Sequence, residues 1–569
     1  MSAVAARPAP SLEEEVALAR TDILAGDGVA AIARLTALIE VSGFSPVLHY
    51  WLSAAHGAAG DKKSQREVLR TAQAYHGLQI IKDGGGDLIR FHQDPEYAGH
   101  IGDLLYSNKM VACASVAYGR AAAQPGATAM TMLRYGLSLQ HQGLMEDAAS
   151  VFEVIAETCP SASVHEFLLV ACMYTEGGVE RHAREARRWA ARYAPPPNSA
   201  ALTFDNKPLA GRRLRIGYVT MSFTGTQVRQ FIRPVLDGHD PESVEVYLYS
   251  ADGAADADLP AAKIQSIGTM SDAEAAALIK ADQIDVLIDL WGHVAGGRLT
   301  MFALKPAPVQ VSWMNYVQTT GMEAMDYVIH CPSIDQPNKQ ALFTETVWPL
   351  KAVHPPFRPV VRMDATPTPA LRNGYVTFGS FNNPCKLSDQ TVKGWAAVLN
   401  ANPGSKLILK YGYFADPILQ NATCARFAAF GADPDRLEFR GHTTDYLREY
   451  GDVDLALDPS PCPGGTTTWD ALACGVPVLS LRGDDFYARI GSPCLMSLGL
   501  DDLLAESWEE YVQMSHDLTQ DFAALDELRQ RVRRSFDASP VRDERGFCEE
   551  LEGVFREMFT AWLTAQPTA

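Results

Sequence analysis

A run of small and hydroxyl-bearing residues lies between two apolar segments in the last quarter of the 569-residue chain. In "CPGGTTTWDALACGVPVLS" two glycines and three threonines follow the apolar "DVDLALD" and open a helix-like segment. Glycines such as Gly465 let backbone N–H groups approach a ligand, and a helix that starts at Thr466 and Thr467 favours an anion such as a phosphate. Asp470, about one turn further on, can accept hydrogen bonds from sugar hydroxyls. A threonine cap with flexible glycines is the simpler alternative.

A lysine follows another strand-like segment. Lys386, in "FGSFNNPCKL", comes just before the helix-like "SDQTVKGWAAVL". A lysine at the carboxyl edge of a strand can meet a leaving phosphate, although a lone lysine is more often exposed to solvent. Its pairing with the glycine–threonine loop makes Lys386 the main catalytic candidate.

A histidine also follows a strand-like segment. His293 lies in "WGHVAGGR", directly after "DVLIDL". It is a candidate general base, because imidazole exchanges a proton near neutral pH. A lone histidine after a strand is as often structural, and both roles stay open.

Strand-like and helix-like segments alternate along the part of the chain that must position these residues. Two series of β-branched runs occur, "LRIGYV", "VEVYLYS", "DVLIDL" and "VQVSWM", then "YVTFGSF", "KLILKYG", "RLEFRG", "VDLALD" and "VPVLSL". Buried parallel strands with crossover helices have this pattern, which predicts two doubly wound α/β domains. Ligands of such sheets bind outside the carboxyl ends of the strands, so we expect the chemistry in a cleft between the domains.

The first third of the chain predicts helical repeats. Three prolines, Pro125, Pro160 and Pro195, are 35 residues apart, and each closes a helix-like stretch. Small residues recur between them at matching positions, namely Gly102, Gly136, Ala171, Ala114, Ala148 and Ala183. The unit resembles a tetratricopeptide repeat, whose period is about 34 residues and whose concave surface commonly binds peptide. Helical packing without a partner is the alternative.

These patterns predict four segments: helical repeats over 1–196, a linker over 197–212, and Rossmann-like domains over 213–358 and 373–569. The last of these includes an amphipathic C-terminal helix that we expect to pack on the body of the protein.

Composition limits the class of protein. A net charge of −19 argues against a nucleic-acid-binding protein, because phosphate neutralisation needs clustered lysine and arginine. The 10 cysteines are scattered without a C-x-x-C pair, which indicates neither a zinc site nor a disulfide scaffold. The sequence has no signal-peptide pattern and no run of about 18 apolar residues, so we expect a cytoplasmic protein without membrane insertion.

Three segments resemble a known family. They are "SFNNPCKL", "LDPSPCPGGTTTWDALACGVPVLSLRGDDFYARIGSPCL" and "LIDLWGHVAGGRLTMFALKPAPVQVSWMNYVQTTGMEAMDY", which resemble the O-linked GlcNAc transferases, including the plant SPINDLY-like proteins. The resemblance extends roughly from Arg213 to the C-terminus, and the repeats match the family architecture. It implies a GT-B fold with a nucleotide-sugar between two Rossmann-like halves, the first on the acceptor side and the second binding the nucleotide. It implies neither a catalytic metal nor another cofactor.

The resemblance also assigns roles to residues. Lys386 and the two threonines at the helix start would bind and stabilise the donor phosphate, and Asp470 would hold the ribose. Asn383 stands where many relatives have a glutamine near the nucleotide. Tyr446 stands where relatives often have a histidine that stacks on uracil.

The departures from the family pattern lie on the donor and acceptor side of the cleft. Ser222 and Thr226 stand where many relatives have an acid and a histidine, and Asn315 and Val317 replace a glycine and a proline. Because the phosphate-binding loop is retained, we expect a working transferase whose sugar or nucleotide differs from UDP-GlcNAc.

Hydrogen-bond donors surround the position of the missing histidine, namely Gln227, Arg229 and Arg233. An extra arginine there suits a donor with a carboxylate, such as a CMP-linked nonulosonic acid. The alternative is that both arginines lie on a helix face in water.

The leading hypothesis is a protein O-glycosyltransferase that acts on Ser or Thr, with the repeats holding the acceptor protein. Some bacterial enzymes of this architecture resemble flagellin glycosyltransferases, which makes flagellin a candidate acceptor. One alternative is a catalytically degenerate scaffold that recruits a partner protein. Another is an enzyme that acts on a small sugar or a lipid.

Overall fold

The computed structural model describes residues 12–25, 27–42, 46–61, 63–65, 68, 88–175, 177–198, 202–252, 259–363 and 366–565. The chain divides into two compact units, one of residues 1–142 with 416–421 and one of residues 143–415 with 422–569.

The described part of residues 1–142 is helical. Its helices are α1 (Leu12–Leu24), α2 (Gly28–Ser42), α3 (Pro46–Ala58), α4 (Leu88–Gln93), α5 (Pro95–Ser107), α6 (Val111–Ala122) and α7 (Ala129–Gln140). Helices α5 and α6 pack closely at Gly102, where an added Cβ would lie only 2.4 Å from the ring of Tyr118. A small residue at this point is therefore required for the two helices to approach.

The second unit begins with three more helices, α8 (Met145–Thr158), α9 (Ala162–Met173) and α10 (Gly178–Tyr193). All six small residues of the predicted repeat lie buried in helices α5 to α10. Pro160 and Pro195 follow the ends of α8 and α10 within two residues. The predicted helical repeats are thus confirmed.

The first α/β domain contains a seven-stranded parallel sheet in the order β3-β2-β1-β4-β5-β6-β7. Its strands are β1 (Leu214–Thr220), β2 (Val244–Ser250), β3 (Lys263–Ser266), β4 (Val286–Asp289), β5 (Val309–Ser312), β6 (Tyr327–His330) and β7 (Thr346–Pro349). Its helices are α11 (Thr226–Gly238), α12 (Asp272–Ala281) and α13 (Leu299–Phe302). Strand β4 lies at the centre of this order, and β1 pairs on both sides, with Leu214 beside Val244 of β2 and Ile216 beside Val286 of β4.

The second α/β domain contains a six-stranded parallel sheet in the order β10-β9-β8-β11-β12-β13. Its strands are β8 (Thr377–Ser380), β9 (Lys406–Lys410), β10 (Leu437–Arg440), β11 (Leu455–Leu457), β12 (Val478–Leu481) and β13 (Leu504–Ala505). Its helices are α14 (Ala370–Asn373), α15 (Asp389–Ala401), α16 (Pro417–Ala429), α17 (Thr466–Ala473), α18 (Ser492–Met496), α19 (Trp508–Asp517) and α20 (Phe522–Ala538). Two doubly wound parallel sheets in series confirm the predicted fold class.

The last helix, α21 (Glu544–Ala565), packs on the first α/β domain although it follows the second in sequence. Phe547, Leu551 and Phe555 belong to the same buried cluster as Leu214 and Ile216 of β1. The predicted second domain includes this helix, and the sequence order alone does not reveal that it returns to the first sheet. No helix in the described part of the chain is long and apolar enough to cross a membrane.

Candidate functional site

The candidate site lies at the carboxyl ends of two adjacent strands of the second sheet. Strand β8 pairs with β11, so the segments that follow them lie side by side. The Nζ of Lys386, after β8, donates to the carbonyl oxygen of Pro463, after β11, at 2.7 Å. The Oγ1 of Thr467 donates to the Oδ1 of Asn382 at 2.7 Å. The structure therefore brings the lysine and the glycine–threonine loop together.

A buried carboxylate shapes this loop. Asp458, directly after β11, accepts hydrogen bonds from the backbone N–H of Gly464 at 3.3 Å and from the hydroxyl of Thr468 at 3.0 Å. A Cβ at Gly464 would lie 2.3 Å from the Oγ1 of Thr468, so a glycine is needed there. Burial raises the pKa of Asp458 to about 6, against the opposing effects of the Thr468 hydrogen bond and the charge of Lys386. Asp458 was missed by sequence reasoning, although an acid directly after an apolar strand was the available signal.

The start of helix α17 is open. Gly465 is its N-cap residue, and no side chain among the described residues caps it at that position. A Cβ at Gly465 would meet only the Cδ1 of Ile490, at 3.9 Å, so internal packing does not demand a glycine there. Thr466 and Thr467 are half-buried. The first N–H groups of α17 and its positive end therefore suit an anion beside Lys386.

Asn383 supports the turn that carries Lys386. Its Oδ1 accepts a hydrogen bond from the backbone N–H of Cys385 at 3.2 Å, and its Nδ2 donates to the hydroxyl of Tyr411 at 3.1 Å. These contacts hold the short 3-10 turn Pro384–Lys386. The expected contact of Asn383 with a nucleotide stays a prediction.

Asp470 joins the two α/β domains. Its Oδ1 accepts a hydrogen bond at 2.9 Å from the Nε2 of Gln230, which lies on α11 of the first domain. Its Oδ2 accepts one at 2.7 Å from the hydroxyl of Tyr446. Burial raises the pKa of Asp470, and these two hydrogen bonds oppose that effect. Gln230 was also missed, because it lies 240 residues from Asp470 and no local pattern connects them.

His293 has quite different surroundings. Its side chain is fully buried, and its Nε2 lies 2.8 Å from the carbonyl oxygen of Thr320. Its ring packs edge-on against Trp189 of α10 at 4.5 Å and also contacts Tyr316. Burial lowers its pKa to about 3. A shielded imidazole that resists protonation is not placed to take a proton from an acceptor hydroxyl, so the structure favours the structural role over that of a base.

The two arginines near the missing histidine both lie on α11. Arg229 is exposed, and Arg233 forms an ion pair with Asp237 at 2.9 Å, one turn along the helix. Exposure of Arg229 agrees with the expected alternative of a solvated helix face, whereas Arg233 is partly buried.

A family assignment agrees with this geometry. The sequence profile of glycosyl transferase family 41 matches residues 198–347 and 362–551, which include both α/β sheets except the end of β7 and reach into α21. The chain belongs to glycosyl transferase family 41.

Relatives of this family 41 member include plant and animal proteins. A Hordeum vulgare protein named "Probable UDP-N-acetylglucosamine--peptide N-acetylglucosaminyltransferase SPINDLY" is 32% identical over 405 residues, or 69% of this chain and 43% of the relative. A Caenorhabditis elegans UDP-N-acetylglucosamine--peptide N-acetylglucosaminyltransferase is 22% identical over 484 residues, or 63% of this chain and 42% of the relative. The chain thus spans less than half the length of these relatives.

A solved structure of the family matches nearly the whole chain. A mutant of the Thermobaculum terrenum O-GlcNAc transferase is 28% identical, with a TM-score of 0.74, and the match covers 97% of this chain and 98% of that one. The resemblance of this family 41 member to the O-linked GlcNAc transferases is thereby confirmed, together with its helical repeats and GT-B fold.

Proposed function

We propose that this family 41 member is a protein O-glycosyltransferase, which transfers a sugar from a nucleotide-sugar to a serine or threonine hydroxyl of an acceptor protein. The observation that carries the proposal is the convergence of Lys386 with the open first turn of α17. A lone lysine or a lone helix start is weak evidence, whereas the two together form a site for a donor phosphate. The names of the relatives support a peptide as the acceptor.

The chemistry assigned to the site is the stabilisation of a leaving group. The acceptor oxygen forms a bond to the anomeric carbon of the sugar and releases its proton to solvent, while the bond from that carbon to the phosphate oxygen breaks. Negative charge then develops on the phosphate, where the Lys386 ammonium and the N–H groups of α17 stabilise it. The proposal invokes no metal ion, and it does not use His293 as the base that accepts the hydroxyl proton.

The donor and the acceptor are narrower proposals. Ser222, Thr226, Asn315 and Val317 depart from the family pattern, and this supports a donor other than UDP-GlcNAc, such as a CMP-linked nonulosonic acid. The helical repeats support an acceptor protein that they bind, and flagellin is the candidate. The Arg233–Asp237 ion pair weighs against a carboxylate contact through Arg233, because that guanidinium already has an anionic partner.

One observation favours a second function, that of a scaffold without turnover. Thr226 stands where relatives have a histidine, and the remaining candidate base, His293, is fully buried. A scaffold of this kind would bind a nucleotide-sugar and recruit a partner protein, but it would not transfer the sugar.

A two-step experiment tests the proposal. Thermal unfolding is first measured with UDP-GlcNAc, UDP-glucose, GDP-fucose and a CMP-linked nonulosonic acid, for the wild type, Lys386→Met and Lys393→Met. Lys393 is an exposed lysine on α15 of the same domain and serves as the matched control. We expect one donor to raise the Tm of the wild type and of Lys393→Met, and to raise that of Lys386→Met much less.

The donor found in this way is then incubated with purified flagellin, and the mass of the intact flagellin is measured. A mass increase equal to one or more sugar residues supports the transferase and the acceptor together. Stabilisation by a donor without transfer to flagellin or to a library of Ser- and Thr-containing peptides supports the scaffold. No stabilisation by any donor contradicts both.

A further inference from the structure

Asp470 is a carboxylate whose oxygens are both engaged by the protein. It is only 3% exposed, and it accepts the Gln230 amide on Oδ1 and the Tyr446 hydroxyl on Oδ2. If Asp470 is to hold a ribose, the ribose hydroxyls must enter a closed and occupied position. At least one of the two internal hydrogen bonds then has to be exchanged.

The two partners of Asp470 differ in where they are anchored. Tyr446 lies in the second α/β domain, as Asp470 does, in the 3-10 segment Tyr446–Asp452. Gln230 lies on α11 of the first domain, and its backbone carbonyl accepts a hydrogen bond from the N–H of Arg358 at 2.9 Å. The Gln230 contact is therefore the one that a relative movement of the two domains breaks.

The Gln230 amide is also incompletely satisfied. The Nε2 must face Asp470, because a carboxylate accepts hydrogen bonds and the tyrosine hydroxyl already donates to its other oxygen. The Oε1 is then buried without a hydrogen-bond partner among the described residues, and the side chain is 1% exposed. A buried acceptor without a hydrogen-bond donor destabilises the arrangement in which Gln230 contacts Asp470. Exchange of this contact for a ribose hydroxyl therefore costs less free energy.

We propose that Gln230 competes with the ribose of the donor for Asp470, and so lowers the affinity of the site for nucleotides while linking donor binding to the first domain. This inference rests on the proposed function, since it assumes a nucleotide at α17. On binding, an N–H donated by Gln230 to Oδ1 is replaced by a ribose O–H donated to the same oxygen, and the number of hydrogen bonds at Asp470 is conserved. Release of the glutamine removes this hydrogen bond between α11 and α17.

Phe231, the residue after Gln230, connects this hydrogen bond to other parts of the cleft. Phe231 packs against His354 at 6.0 Å and Phe357 at 5.3 Å, in the segment that connects the two domains. Phe357 in turn stacks on Trp469, the residue before Asp470, at 5.1 Å. The start of α11, the connecting segment and α17 therefore form one packed group around the exchanged hydrogen bond.

The test is a titration of CMP, UDP and GDP, each with its 2′,3′-dideoxy analogue, into the wild type and Gln230→Met by isothermal calorimetry. Methionine keeps the length of glutamine and removes the competing amide. We expect the nucleotide that binds the wild type to bind Gln230→Met about tenfold more tightly, because the site no longer has to release an internal partner. Its dideoxy analogue has no hydroxyl to exchange, so its Kd should be the same in both proteins.

A matched control comes from the same domain. Gln336 is 5% exposed and has a buried Nε2 without a hydrogen-bond partner in the described structure, yet it is not bonded to Asp470. We expect Gln336→Met to leave the Kd of the nucleotide unchanged. Gln230→Leu serves as the second variant if Gln230→Met does not fold.

An unchanged or weaker Kd in the Gln230 variants, while the wild type binds, would overturn the competition and leave the proposed function standing. An equal gain for the nucleotide and its dideoxy analogue would also overturn it, because general loosening of the cleft would then be the cause. If the wild type binds none of the three nucleotides, the proposed function and this inference both fail.

Discussion

Two regions of the molecule place a basic or titratable residue just after a buried parallel strand, and their surroundings differ. Lys386, after β8, is half-buried, donates to a neutral carbonyl and lies beside the open start of a helix. His293, after β4, is fully buried under Trp189 of α10. The carboxyl edge of a strand therefore offers a position for chemistry, and the elements that cover this edge decide whether the position is used.

The covering element in the second case comes from the helical repeats. A Cβ at Gly321 would lie 2.4 Å from the backbone of Ala186, so α10 rests directly on the loop after β5. On the same helix, His182 hydrogen-bonds to the hydroxyl of Tyr316. The last repeat helix is thus part of the core of the first α/β domain, and it closes His293 off from the cleft.

The largest effect in this comparison is expected from Lys386→Met. Loss of the ammonium that faces the leaving phosphate should lower the transfer rate about 100- to 1000-fold, with little change in Tm. The measurement is kcat with the donor that stabilises the wild type. Lys393→Met should keep the wild-type rate, and a Lys386→Met enzyme within threefold of the wild type would remove the lysine from the mechanism.

The two adjacent glycines of the loop in the first region are expected to differ in their effect on stability. Gly464→Ala should destabilise the protein by about 1–3 kcal/mol, because the new methyl group collides with Thr468 and Asp458. Gly465→Ala has room within the protein, so its free energy of unfolding should stay near that of the wild type.

The two glycine variants also distinguish an effect on packing from an effect on ligand binding. If backbone N–H groups at Gly465 approach a phosphate, Gly465→Ala should weaken donor binding about tenfold despite its normal stability. Denaturant unfolding and donor titration of both variants provide the check. Normal donor affinity in a fully stable Gly465→Ala protein would place the phosphate elsewhere.

His293→Phe tests whether the buried histidine of the second region is structural or acts as a base. The aromatic packing against Trp189 and Tyr316 is kept, while the hydrogen bond to Thr320 is lost, so we expect a destabilisation of about 1–2 kcal/mol. The transfer rate of the folded variant should fall less than tenfold, whereas removal of a general base typically costs about 100-fold or more. A loss of that size in folded His293→Phe, together with a lost limb of the pH–rate profile, would restore the histidine as the base.

Much of the fold can be predicted from the sequence, because nine apolar runs mark strands β1, β2, β4, β5 and β8 to β12. Strands β3, β6, β7 and β13 escape prediction. "KIQS" of β3 is largely polar and partly exposed, β7 has no fully buried residue, and β13 has only two residues. Such strands are recognised by their pairing with neighbours, which no local pattern contains.

The residues of the site also fall into those that the sequence predicts and those that it does not. Local motifs after strand-like runs point to Lys386, Gly465 and the threonines, whereas the pairing of β8 with β11 that brings them together is seen only in the structure. Gln230 and the covering of His293 by α10 are not predictable, because both depend on packing between segments that are far apart in the sequence. Local motifs thus predict which side chains are present, and tertiary packing decides which of them a ligand can reach.

A pH dependence of stability is also expected in the covered region. Burial raises the pKa of Glu166, on α9, from its ordinary 4.5 to about 8, and the charge of Asp289 at the end of β4 adds to this. A carboxyl group with a raised folded-state pKa stabilises the protein fully below its unfolded-state pKa and loses that contribution as the pH rises to the folded-state pKa. The wild type should therefore lose stability relative to Glu166→Gln between about pH 4.5 and 8.

The measurement is the Tm of the wild type and Glu166→Gln from pH 5 to pH 9. Glutamine keeps the shape of the protonated side chain and does not titrate, so the difference in Tm should change in favour of the variant as the pH rises. A constant difference in Tm over this range would mean that burial does not raise the pKa of Glu166 in the folded protein.

A crystal structure of the protein with the nucleotide that stabilises it tests the proposed phosphate site most directly. We expect a phosphate group within hydrogen-bonding distance of the Nζ of Lys386 and of the first backbone N–H groups of α17, next to Gly465. A phosphate bound in the first α/β domain, or a nucleotide with no contact to Lys386, would overturn the proposed site.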